Sequence, residues 1–69
     1  MSKLKEIRES QGISQGKLAY LSKVKLRTIK AYEQGYRDIN KASYKILHKL
    51  ADALKCEITD LLEDENEAG

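Results

Sequence analysis

The sequence predicts an all-α fold, a compact domain of five short helices. Three observations point there. The 69 residues contain no proline and only four glycines, so little interrupts a helical backbone. Phe and Trp are absent, so a core must come from Leu, Ile, Val, Ala and a few Tyr. Finally, Ile46, Leu47, Leu50, Ala51 and Leu54 recur at i, i+1, i+4, i+5 and i+8, the spacing of one helical face. A chain this short makes one domain, close to the size at which a single core is only marginally sufficient. We place the domain at residues 1–62 and read residues 63–69 as an acidic, flexible tail.

Ser2 is set to cap a first helix running to about Gln11, with Leu4 and Ile7 on its buried side and Glu6 in its first turns. Gly12 ends it in the left-handed conformation a post-helical residue often needs, and Ile13 re-enters the core. Ser14 caps a second helix from Gln15 to about Ser22, which buries Leu18, Ala19 and either Leu21 or Ser22. Lys23 lies in the turn, and Val24 is the small plug between two crossing helices. A third helix runs from about Leu26 to Gln34, buries Ile29 and Tyr32, and stops at Gly35. Tyr36 to Asn40 reads as a polar loop with Ile39 pointing inward. The fourth helix starts at Lys41 or Tyr44, capped by Asn40 or Ser43, and ends near Leu54. A short fifth helix, about Thr59 to Glu63, brings in Ile58, Leu61 and Leu62. Beyond it, Asp64 to Gly69 is acidic and lacks large apolar groups, so it is expected to fray.

The stretch Ser14–Gly35, SQGKLAYLSKVKLRTIKAYEQG, organises the rest. Its second helix presents Lys25, Leu26, Arg27, Lys30, Ala31 and Gln34 outward, and none of these is acidic. A short helix propped on a partner, with a cationic and amide-bearing outer side, suits insertion into a DNA major groove. Charge distribution agrees. Residues 1–41 carry ten Lys/Arg and four acids, a balance of +6, whereas residues 42–69 carry three Lys and seven acids, a balance of −4. Such a dipolar molecule can be steered to a polyanion although its net charge is only +2.

Other chemistries find little support. His48 and Cys56 are eight residues apart, about 12 Å of axial rise if helical, and no third group orients the histidine. One His and one Cys cannot complete a four-ligand metal site, so no metal or cofactor is expected. Cys56 reads as a small core residue, and a single cysteine favours a reducing cytoplasm. Tyr20, Tyr32, Tyr36 and Tyr44 are not confined to one surface, which favours packing over single-strand stacking. No apolar run approaches the roughly 18–20 residues of a membrane span. We therefore expect no enzyme and no membrane partner.

The residues Leu4 and Arg8; Ser14, Gln15, Leu18 and Ala19; Val24, Thr28, Ile29, Glu33 and Gly35; and Leu50, Ala51, Leu54, Asp60, Leu61 and Leu62 together make a pattern. It resembles the lambda-repressor-like, or Cro/cI-type, helix-turn-helix family, with the motif formed by helices two and three. The resemblance implies base reading by Leu26, Arg27, Lys30 and Ala31. It implies phosphate contacts from Gln15, Thr28, Gln34 and Arg37, with Gln15 also bracing the reading side chains. From their own positions, Lys25 at the start of the third helix is well placed to meet a phosphate and Tyr36, just past Gly35, to touch the DNA backbone. Arg8 and Glu33 match a partly buried ion pair tying the first helix to the third. Three positions depart from the family's pattern. Lys23 replaces a turn glycine, Lys25 replaces a small capping residue, and Leu26 replaces a usually polar reading residue.

The function this implies is a sequence-specific transcriptional regulator, expected to be a repressor, in a prokaryotic or phage-type cytoplasm. One short helix reads too few base pairs to select a genomic site, so a homodimer on a palindromic double-stranded operator is expected. Tyr44, Leu61 and Leu62 are the expected dimer surface. The alternative is a protein-interaction module or antitoxin-type partner, which the acidic segment from Glu63 would suit.

Overall fold

Leu50 and Leu54, on the inner side of the longest helix, are fully excluded from solvent and form the centre on which the other elements lie. The computed structural model describes residues 2–63. Among these it shows four α-helices: α1 (Lys3–Ser10), α2 (Gln15–Ser22), α3 (Leu26–Gln34) and α4 (Tyr44–Leu54). Two 3₁₀ turns, Ile39–Lys41 and Ile58–Leu61, complete the order. The class is all-α as expected, but the count of five α-helices is not met.

Side-chain caps set most of the boundaries. Ser2 accepts from the Lys5 N–H, Ser14 from that of Lys17, and Ser43 from that of Ile46, so Ser43 rather than Asn40 opens α4. Each hydroxyl satisfies one of the donors a helix start leaves unpaired. The expected fifth helix at Thr59–Glu63 is corrected to the 3₁₀ turn Ile58–Leu61. Its Asp60 and Leu62 N–H groups bond three residues back, to the carbonyls of Glu57 and Thr59, and the Asp60 carboxylate reaches the Glu57 N–H at 2.9 Å. A segment this short closes more readily with three-residue than with four-residue bonds. The loop expected at Tyr36–Asn40 likewise tightens at its end, where Asp38 accepts from the Asn40 N–H.

The core joins Leu4 of α1, Leu18 of α2, Val24, Ile29 and Tyr32 of α3, Ile39, the inner side of α4, and Leu61. Helix α2 packs on both α3 and α4, and the last turn packs on α4 and α1. Of the two alternatives on α2, Ser22 is buried, where its hydroxyl accepts from the Val24 N–H, whereas Leu21 is 44% exposed. Long-range polar bonds fasten the ends. The Gln11 amide donates to the Leu54 carbonyl at 2.7 Å, satisfying an acceptor at the end of α4. Glu63, assigned above to the flexible tail, is instead anchored. Its carboxylate accepts from the Lys3 N–H at 2.7 Å, and its backbone exchanges two bonds with the Asn40 side chain. The expected fraying of Asp64–Gly69 lies outside the described residues. Among the described residues, no helix is long and apolar enough to cross a membrane.

Candidate nucleic-acid interface

The placement of α3 depends on its two ends. At its start the chain turns through Lys23, which takes the left-handed conformation with φ +60°. That resolves the departure at this position: the turn is kept and a lysine bears the backbone strain, which costs about 1–2 kcal/mol for an L-residue. Lys25 then occupies the N-cap with no side-chain hydrogen bond to the helix. At the other end Gly35, with φ +84°, reverses the chain, and the Tyr36 and Arg37 N–H groups fold back onto the Ala31 carbonyl. Only a residue without Cβ takes such a φ freely.

On its inner side α3 is held by a closed polar network. Glu33 accepts from Arg8 Nε at 2.7 Å and from Arg8 Nη2 at 3.0 Å, while Gln15 Nε2 donates to it at 2.9 Å. The remaining Arg8 terminal nitrogen donates to the Ile13 carbonyl at 2.8 Å. The side chains of Arg8 and Glu33 are only 9% and 2% exposed, so the pair lies out of water. Burial pushes the Glu33 carboxyl up. The hydrogen bonds from Arg8 and Gln15 and the charges of Arg8 and Lys5 outweigh it and hold the group below its ordinary value. The hydrogen bond to Glu33 in turn raises Arg8, against the opposing effect of burial. The network ties α1, α2 and α3 together and fixes which side of α3 faces out.

On the outer side, Lys25, Arg27, Lys30, Gln34, Tyr36 and Arg37 are exposed, Leu26 is 39% exposed, and Thr28 and Ala31 are half-buried. Leu26, Arg27, Lys30, Ala31, Gln34 and Tyr36 line one shallow hollow. Among the described residues, no carboxylate lies within ion-pair distance of Lys25, Arg27, Lys30 or Arg37. The Arg37 guanidinium sits 5.4 Å from the centre of the Tyr32 ring, which orients the cation without neutralising it.

Some expected residues fall elsewhere. Leu61 is fully buried and belongs to the core, so it is withdrawn from the dimer surface, whereas Leu62 is half-buried. Tyr44 is 72% exposed and stacks on His48, with ring centres 5.9 Å apart. Cys56 is half-buried against the core rather than fully within it, and burial with the charges of Asp60 and Glu57 pushes its thiol up. Sequence reasoning missed the bond between Gln15 and Glu33. The two lie 18 residues apart, so no local pattern signalled it.

These features define a helix-turn-helix, with α2 as the support and α3 as the presented helix. A family model described as helix-turn-helix matches residues 4–61, nearly the whole chain. The protein belongs to the lambda-repressor-like helix-turn-helix family, a family of DNA-binding regulators. No curated protein matches the sequence.

Proposed function

We propose that this protein is a sequence-specific double-stranded DNA-binding transcriptional regulator, a repressor that acts by occupying its operator. In this reading α3 enters the major groove. Leu26, Arg27, Lys30 and Ala31 meet base edges, with Arg27 donating to guanine O6 and N7. Lys25, Thr28, Gln34, Tyr36 and Arg37 meet phosphates on either side. Gln15 joins them through the second N–H of its amide nitrogen, the first being given to Glu33. One observation carries the reading: the inner side of α3 is closed by a satisfied ionic network, while its outer side holds cations that, among the described residues, have no carboxylate within ion-pair distance.

A single α3 spans only nine residues, so useful specificity calls for two copies on half-sites about 34 Å apart. The exposed Tyr44, stacked on His48, and the half-buried Leu62 are the candidate contacts between copies. In vitro selection from random duplexes tests the whole reading. Enrichment of an inverted repeat with that spacing is expected, with affinity falling by a slope of about −0.9 per neutralised phosphate in log–log salt titrations. Failure to enrich any duplex, or a salt-insensitive complex, would refute it.

A further inference from the structure

Two exposed apolar groups on the outer side of α3 lie outside the core cluster. Leu26, the first residue of α3, is 39% exposed. Tyr36, just past the helix, is 80% exposed. The other three tyrosines each have a partner: Tyr20 lies under the Lys17 ammonium, Tyr32 under Arg37, and Tyr44 against His48. Among the described residues, the Tyr36 ring has no ring or cationic partner. Leaving apolar surface in water costs about 25 cal/mol per Å². Leu26 and Tyr36 both line one hollow, together with the small side chain of Ala31. The turn at Gly35 brings Tyr36 there, because it folds the Tyr36 N–H onto the Ala31 carbonyl at 2.9 Å.

We infer that this hollow is a receptacle for the C5-methyl group of a thymine, with Leu26 and the Tyr36 ring as its two walls and Ala31 as its floor. The inference rests on the proposed insertion of α3 into the major groove and specifies what one position of the half-site must be. Three features select this occupant. Arg27 and Lys30 stand at the edge of the hollow and draw it against a polyanion. A leucine cannot exchange hydrogen bonds with a base edge, so it can reward only apolar surface. The thymine methyl is the one apolar group that an unmodified base pair exposes in the major groove. Alanine at position 31 leaves space that a longer side chain would fill. The phosphate contact proposed for Tyr36 uses its hydroxyl, so the ring remains available to the methyl.

Replacing thymine by uracil removes that methyl and leaves every hydrogen-bonding group in place. With the duplex recovered by selection, each thymine is exchanged singly for uracil and affinity is measured for the full chain at fixed salt. One exchange per half-site is expected to weaken binding about fourfold, the factor carried by burying one methyl-sized group. In Leu26→Ala or Tyr36→Ala the thymine and uracil duplexes should bind alike, even though both bind more weakly overall. Helical content and melting of each variant, followed by circular dichroism, show that the fold is intact. Equal binding of every uracil duplex by the unaltered protein overturns the inference and leaves the DNA-binding reading standing. So does a uracil penalty that persists in both variants. Selection that enriches no duplex removes both readings together.

Discussion

The two sides of α3 obey opposite rules. On the inner side every strong group is spoken for: Ile29 and Tyr32 are buried, and Glu33 accepts three hydrogen bonds from Arg8 and Gln15. On the outer side, Leu26, Arg27 and Lys30 are exposed, and no carboxylate of a described residue approaches the two cations. One nine-residue helix thus separates the groups that hold the domain from those offered to a ligand. A substitution on one side should move stability, and one on the other should move binding.

The largest effect tests the inner side. Arg8→Ala or Glu33→Ala strands a buried partner, a change that costs about 3–5 kcal/mol. That is comparable to the whole stability of a domain this small, so denaturant unfolding should show little or no folded population. A loss below about 1 kcal/mol would mean the network does not hold α3. The same network makes an acid prediction. Because the folded Glu33 carboxyl lies below its ordinary value, its contribution is fully present above the unfolded pKa of about 4.3. It is lost as pH falls through that value toward the lower folded one. The unfolding free energy of the unaltered protein should therefore fall over that acidic window, and a flat profile there would separate Glu33 from the stability of the domain.

Arg27→Ala tests the outer side and ranks next. A bidentate guanine contact carries about 1–3 kcal/mol of discrimination, so affinity for the selected duplex should fall about 5- to 150-fold and one base position should relax. Unfolding stability should stay within about 0.5 kcal/mol, as for surface changes elsewhere. A base-preference profile unchanged by Arg27→Ala would dissociate this residue from base reading. A large loss of stability would break the division between the two sides.

Local signals made most of this architecture legible. Ser2, Ser14 and Ser43 each stand at a helix start, and the left-handed Gly35 closes α3, because caps act within three or four residues of the boundary they set. The expected Arg8 and Glu33 partnership came from the family pattern rather than from spacing, since the two are 25 residues apart. What stayed hidden was either too short or too distant. The turn Ile58–Leu61 shows apolar positions compatible with a helix, and only its bonding pattern reveals the tighter geometry. The Gln11 bond to Leu54 spans 43 residues and that of Lys3 to Glu63 spans 60, so no window of sequence contains both partners. For the candidate interface, the cations could be read from composition. The convergence of Leu26 and Tyr36 in one hollow needed the chain reversal at Gly35.

The smallest expected effect concerns a residue at the boundary of this division. Lys25 occupies the N-cap of α3 but gives the helix no side-chain hydrogen bond, and a cation there opposes the helix dipole. Stability alone would favour serine at this position. Lys25→Ser should therefore raise the unfolding free energy by about 0.5–1 kcal/mol by supplying the missing acceptor. If the lysine neutralises a phosphate, the same change should weaken binding to many duplexes alike and make the log–log salt slope shallower by about 0.9. Opposite movements of stability and affinity would show that α3 gives up a cap to gain a DNA contact. A gain in stability with an unchanged salt slope would assign Lys25 to neither side and leave its place at the cap without a ligand to explain it.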